Sequence, residues 1–215
     1  MTGSIALNLR IEVAPLAIRA ERLEALLVRE PTGWRLPGGL LETGENLDAA
    51  ARRHLTEQTG LDEAYLEQLY TFSPSESAAG KLAVTVAYYA LLARDAFPDE
   101  PAADGRGQMV WSPVAALPDS LRDPVGIVTL AHRRLASKLA YSTIALQLMP
   151  ERFTLTELQA VHEIVSGETL DKRNFRKRIL ALDCIEATGD AARRGGHRPA
   201  RLYRAKRSGQ VDFIK

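Results

Sequence analysis

The segment Trp34-Arg-Leu-Pro-Gly-Gly-Leu-Leu-Glu-Thr-Gly-Glu45, continued by Arg53-His-Leu-Thr-Glu-Gln-Thr-Gly-Leu61, constrains the fold more than any other part of the chain. Its first half holds Pro37, Gly38, Gly39 and Gly44, residues that suit turns and let backbone approach another group closely. Its second half has helical spacing: Leu47, Ala50, Ala51 and Leu55 share a face, and Gly60 is a stop signal. A glycine-rich turn that feeds a helix N-terminus is suited to an anion such as phosphate. The helix then presents His54, Glu57 and Gln58 at i, i+3 and i+4, on one side. Three carboxylates at that spacing would hold a hard cation, whereas a histidine and a neutral amide are poor partners for one. Only Glu57 of the three is acidic, with Glu42 and Glu45 upstream. A site with this shape and only part of that charge is better suited to bind than to cut.

The rest of the first half reads as strands around this helix. Residues 5–13 alternate apolar and polar, Leu23–Val28 is a second β-like run, and Pro31-Thr-Gly33 and Pro37-Gly-Gly39 mark turns. Further strands are expected over Tyr65–Phe72, Leu82–Leu92 and Met109–Ser112, with polar loops at 73–81 and 97–108 and a short helix and turn over Ala115–Arg122. This order predicts an α+β sandwich over residues 1 to about 125.

Beyond Pro124 the β signal stops. Gly126–Ala140 has a helical apolar stripe, and Ser142–Met149 is a short helix ended by Pro150. Phe153-Thr-Leu-Thr-Glu-Leu158 is a helix start in which Thr154 caps, Glu157 reaches back and Phe153 staples onto Leu158. Gly167 ends that helix and Asp171 caps another, from Lys172 to about Leu182. Short strands at Ile185–Thr188 and Arg201–Ala205 flank a loop over 189–200. Three helices followed by a hairpin with a basic tip is the order of a winged helix-turn-helix.

Charge agrees with that division. The net charge is only +1, yet from Asp171 onward 13 Lys/Arg stand against 5 Asp/Glu. In Lys172–Leu182, Phe175, Ile179 and Leu182 share the core-facing side, and Lys172, Arg173, Arg176 and Lys177 fall largely opposite. So many cations without acidic partners at i+4 are unusual on a merely solvated helix. Arginine suits guanine and asparagine, here Asn174, suits adenine, so this helix is expected to enter a major groove. Arg193, Arg194, Arg198 and Arg201 place basic groups at the hairpin tip, and Thr154 and Thr156 complete the expected DNA-contacting set. No apolar run approaches the ~20 residues that span a bilayer, and no signal-peptide pattern opens the sequence. The single cysteine, Cys184, excludes an internal disulfide and is expected to be a buried packing residue, which makes a reducing cytoplasm the expected location.

Counted from Gly39, the pattern Gly-x5-Glu45-x7-Arg53-His54-Leu55-x-Glu57-Gln58-x-Gly60-Leu61 resembles the signature of the Nudix hydrolases, in which positions 54, 57 and 58 are all glutamates that hold the metal. With Tyr65-Leu-Glu-Gln-Leu-Tyr-Thr-Phe72, Leu139-Ala-Tyr-Ser-Thr-Ile-Ala145, Phe153–Gln159, Leu170–Arg176 and Arg198–Arg204, nearly the whole chain resembles the Nudix-related transcriptional regulators, the NrtR family. The resemblance implies a Nudix-like α/β/α sandwich over 1–137 that binds an effector, and a winged helix-turn-helix over 138–215. It further implies a homodimeric repressor of NAD-biosynthesis or salvage genes. Its partners would be a palindromic double-stranded operator and ADP-ribose or a related NAD metabolite that releases it, with no membrane partner. Arg35, Gly38, Gly39, Glu42, Arg53, Glu57 and Lys81 are the implied effector contacts. No cofactor is required, although Glu42, Glu45 and Glu57 leave room for weak Mg²⁺ binding with a nucleotide. The residues also admit a second reading, a Mg²⁺-dependent hydrolase of a nucleoside diphosphate sugar resting on Glu45 and Glu57. Equally, Glu45 and Arg53 can brace the loop against the helix rather than touch a ligand. One departure stands out: ADP-ribose-binding members often carry an arginine- and proline-containing loop after Tyr-Thr-Phe. Here that loop, 73–81, has no arginine, and Lys81 supplies its one positive charge.

Overall fold

In the computed structural model, described over residues 6–73, 81–94, 108–123, 125–192 and 199–214, the first strand outruns its sequence signal. Strand β1 spans Ala6–Arg19. Alternation gives out after Val13 because residues 13–18 are all buried, so both faces are covered. Pro15, ordinarily a strand breaker, sits inside it. Ala20 and Glu21, with φ of 41° and 59°, turn the chain into β2 (Arg22–Glu30). That is the left-handed two-residue turn that matches strand twist.

Two segments read as turns contribute short strands, β3 (Gly33–Arg35) and β4 (Gly38–Leu40). Each is held by a distant partner rather than by local pattern: β3 pairs with β2, and β4 pairs with β1 through Arg10↔Leu40 and Glu12↔Gly38. Gly38 is required there, since a Cβ would collide with the Ile11 carbonyl. Helix α1 (Leu47–Thr59) follows, capped by Asn46, whose side chain accepts from the Ala49 N–H at 2.8 Å, and closed by Gly60 at φ 77°. Strands β5 (Tyr65–Phe72), β6 (Lys81–Leu92) and β7 (Met109–Pro113) come next. The stretch 115–122, expected as helix and turn, is instead a 3-10 turn (Val114–Ala116) and a strand, β8 (Leu121–Arg122), parallel to β3. The resulting sheet runs β5-β6-β1-β2-β3-β8, with β4 added on β1 and β7 on β2. Helix α1 buries Ala50, Ala51, His54 and Leu55.

The chain divides into two compact units inside helix α2 (Ile127–Leu139). The division also passes through β1, β2 and β6: besides the chain from His132 onward, the second unit takes in Ala17–Leu23 and Leu92. The N-terminus of α2 is capped by Asp123, whose carboxylate accepts from the N–H groups of Ile127 (2.7 Å) and Val128 (3.0 Å).

In the second unit a 3-10 helix (Ile144–Leu148) precedes α3 (Leu155–Ser166), α4 (Lys172–Ala181), β9 (Ile185–Ala192) and β10 (Ala200–Ala205). The Thr154–Glu157 capping box forms as expected, and both Phe153 and Leu158 are buried. Phe153 exchanges two backbone hydrogen bonds with Tyr203, tying the entry of α3 to the hairpin. The turn from α3 to α4 is pinned by side chains. Glu163 accepts from the Leu170 N–H at 2.9 Å, and Gln159 donates to the Leu170 carbonyl at 2.9 Å and to Glu163 at 3.0 Å. Residues 189–192, expected in a loop, extend β9; Gly189 (φ 85°) lies in an irregularity of the β9–β10 ladder. Cys184 is half-buried rather than buried, and burial pushes its thiol pKa up.

Candidate functional site

Helix α1 and strand β4 bring the predicted box together, and the side chains at its two altered positions are turned onto backbone. Gln58 accepts at Oε1 from the Gly38 N–H (3.0 Å) and from Arg35 Nη1 (2.8 Å), while its Nε2 donates to the Gly38 carbonyl (3.0 Å). One turn earlier, buried His54 sets Nε2 3.1 Å from the Leu40 carbonyl. Its Nδ1 lies 3.4 Å from Gln58 Nε2. A carbonyl only accepts and an amide nitrogen only donates, so the network assigns the ring proton to Nε2. The longer 3.5 Å approach of Arg53 to Nε2 is then a contact between two donors. Gly39 makes room for the ring, since an added Cβ would stand 2.5 Å from its Cε1.

Arg53 gathers the remaining carboxylates. Its fork grips Glu45 through Nε (2.9 Å) and Nη2 (2.8 Å), and Nη1 reaches Glu42 at 3.3 Å and Glu57 at 3.5 Å. The Arg53 hydrogen bonds hold the Glu45 carboxyl below its ordinary pKa, and Glu45 in turn raises that of Arg53. Arg35 is likewise engaged, with Nε on Glu30 at 2.8 Å and Nη1 on the Leu36 carbonyl at 2.8 Å. Among the described residues no three His, Cys, Asp or Glu side chains are grouped to hold a metal. The side chain of Lys81 and the loop 74–80 lie outside the described residues.

Sequence reading did not single out Arg10, Glu12 and Glu30. Arg10 and Glu12 pair at 3.2 Å on β1, opposite Leu40 and Gly38. Burial raises the Glu12 pKa against the pull of Arg10. Glu30 joins Arg35 to Arg122, the latter at 3.1 Å. The i, i+2 spacing of Arg10 and Glu12 was a readable signal for one face of a strand; the Glu30 contacts are long-range and left none.

The second predicted site is on α4. Asp171 caps it by accepting from the Asn174 N–H at 2.8 Å, and Phe175 and Ile179 are buried. Lys172, Arg173, Asn174, Arg176 and Lys177 are all exposed, and among the described residues no ion pair engages the four cations. Leu182, expected on the buried side, lies just past the helix and is half-buried. Thr156 is exposed, whereas the Thr154 hydroxyl is committed to Glu157. Arg201 is exposed at the start of β10; Arg193, Arg194 and Arg198 lie outside the described residues.

Comparison with known proteins follows the same division. Residues 9–129 match the NUDIX domain, and residues 145–205 match the NrtR DNA-binding winged helix domain. Over 201 residues the chain is 34% identical to the ADPR-responsive transcriptional repressor NtrR of Acinetobacter baylyi, covering 90% of this chain and 80% of that protein. The chain belongs to the NrtR family. Among solved structures, NrtR of Shewanella oneidensis complexed with a 27mer DNA is 32% identical, with a TM-score of 0.80 over 92% of this chain and 93% of that one. A MutT/nudix family protein from Enterococcus faecalis, at 23% identity and a TM-score of 0.72, covers 93% of this chain and 88% of its own and shares the fold. In this NrtR-family chain the α+β first domain and the winged helix stand as read from sequence.

Proposed function

We propose that the chain is a DNA-binding transcriptional repressor whose Nudix domain binds ADP-ribose or a related NAD-derived nucleotide without cleaving it. The observation that carries this reading is the pairing, in one chain, of a Nudix box at whose altered positions His54 and Gln58 hold backbone with an α4 whose cations Lys172, Arg173, Arg176 and Lys177 have no acidic partners among the described residues. The ADPR-responsive repressor among its relatives and the DNA-bound NrtR structure support it. In this reading two copies present α4 to a palindromic operator with half-sites roughly 34–36 Å apart, upstream of NAD-biosynthesis or salvage genes, in the cytoplasm. Exposed Arg173, Arg176 and Asn174 read base edges, and Lys172, Lys177, Thr156 and Arg201 meet phosphates. The effector lies along Gly38, Gly39, Glu42, Arg53 and Glu57, over a floor braced by Arg35. It switches the protein by binding the DNA-free arrangement more tightly, since equal affinity would shift nothing.

The test is a gel shift on DNA upstream of neighbouring NAD genes, titrated with ADP-ribose, NAD and related nucleotides. Retention of the DNA and its release by ADP-ribose are expected. A Mg²⁺-dependent turnover of ADP-ribose at about 1 s⁻¹ or faster, an ordinary enzyme rate, would instead establish the hydrolase.

A further inference from the structure

We infer that the α1 face which carries the metal in Nudix enzymes is here a metal-free clamp, in which side-chain N–H groups do the work of the cation: His54 and Gln58 hold β4 set for the effector, and Arg53 holds the acids. The inference rests on the effector reading of the Gly38–Glu57 site.

Gln58 makes the case most directly. It bonds both the N–H and the carbonyl of Gly38, which needs one donor and one acceptor on the same side chain. A carboxylate can only accept. Glutamate at this position would set an anionic oxygen against the Gly38 carbonyl and leave that carbonyl without its donor. His54 does the same for Leu40, with Nε2–H directed at its carbonyl and Nδ1 turned to Gln58. Carbonyl and carboxylate oxygens are what a hard cation binds. Here the Gly38 and Leu40 carbonyls are already bonded to N–H groups.

The carboxylates are treated in the same way. Glu45, whose side chain is 15% exposed, takes both arms of the Arg53 fork, and Glu42 and Glu57 share its remaining nitrogen. Guanidinium stays charged at every working pH. A Mg²⁺ ion would therefore have to displace Arg53 from the acids and gain only Glu57 from the helix face. The residues present do not fit the ion, and the strand is fixed without it.

The decisive measurement is calorimetric titration of the full-length chain with ADP-ribose, in excess EDTA and in Mg²⁺, with thermal midpoints recorded in both. The native Kd is expected to agree within about twofold, and its midpoint to be indifferent to Mg²⁺. Q58E, nearly isosteric, and the double variant H54E/Q58E are expected to lose about tenfold in affinity in EDTA, the scale of one buried carbonyl left without a donor. Both should regain affinity in Mg²⁺, and the double variant's midpoint should rise with it, a response that mere loss of packing would not give. A tenfold loss of native affinity in EDTA, a native midpoint that moves with Mg²⁺, or variants that bind like the native chain in EDTA would each overturn the inference. Should ADP-ribose fail to bind the native chain in both buffers, the effector reading falls, and the midpoints still decide whether the clamp excludes the cation.

Discussion

Buried His162 is expected to tie the stability of the winged helix to pH. It is 5% exposed on α3 and stands edge-on to Phe175 of α4, with ring centroids 5.1 Å apart. Burial lowers its pKa to about 4, and the charge of Arg178 acts in the same direction. The unfolded chain takes up this proton near the ordinary value of about 6.5. The neutral ring therefore contributes its full stability above pH 6.5, and that contribution is lost as pH falls from there towards 4. Between pH 7 and pH 5 this one group should contribute a loss of about 2 kcal/mol, at 1.36 kcal/mol per unit of separation. Urea unfolding followed by circular dichroism at the two pH values measures the loss, and His162→Leu should remove that part of the slope. Glu45 and Glu163, whose pKa values are lowered, add losses only below the ordinary carboxylate range. Equal slopes in native chain and variant between pH 7 and 5 would clear His162 of the role.

At the scale of elements, the proposed reading of DNA by α4 depends on the turn before it. Arg173→Ala and Arg176→Ala should each cost about 1–3 kcal/mol of operator discrimination if they contact bases. Lys172→Ala and Lys177→Ala should weaken all sequences alike and lower the salt slope by about 0.9 each. Salt-dependent binding curves separate the two classes, and unchanged operator affinity in both arginine variants would take α4 out of the groove. Gln159→Ala is a subtler probe. It touches neither DNA-facing side chains nor the effector site, yet removes the bonds to Leu170 and Glu163 that fix the turn. Operator affinity should fall while ADP-ribose affinity stays put. The same elements show what a sequence discloses. Caps are local, so Gly60, Thr154 with Glu157, Gly167 and Asp171 could be read directly. Strands β3, β4 and β8 are two or three residues long and exist through distant partners, so no periodicity marked them. The box showed where His54 and Gln58 stand. That they would turn onto β4, and that Arg53 would collect three carboxylates, depends on the approach of β4 to α1, which no local spacing encodes.

At the scale of the molecule, α2 is the helix through which the division between the two units passes, between Ala131 and His132. Its start is set by Asp123, doubly bonded to Ile127 and Val128, and in the second unit His132 bonds the Val165 carbonyl of α3 at 2.9 Å. In the proposed switch, this helix carries the two-state change from the effector site to α4. Removing its cap with Asp123→Ala should cost about 1 kcal/mol of stability and reduce the coupling without touching either ligand's contacts. Coupling has a stricter signature than release alone, because linkage is reciprocal. If saturating ADP-ribose weakens the operator complex by a given factor, between about 5- and 150-fold for typical coupling energies, saturating operator must weaken ADP-ribose binding by that same factor. Both can be measured on the full-length chain, one by gel shift or anisotropy across an effector series, the other by calorimetry with and without operator duplex. Matching factors, both smaller in Asp123→Ala, are expected of a switch that runs through α2. A weakened operator complex with unaltered ADP-ribose affinity on the DNA-bound protein would mean that the nucleotide acts by competing elsewhere, and the two-state device would have to be abandoned.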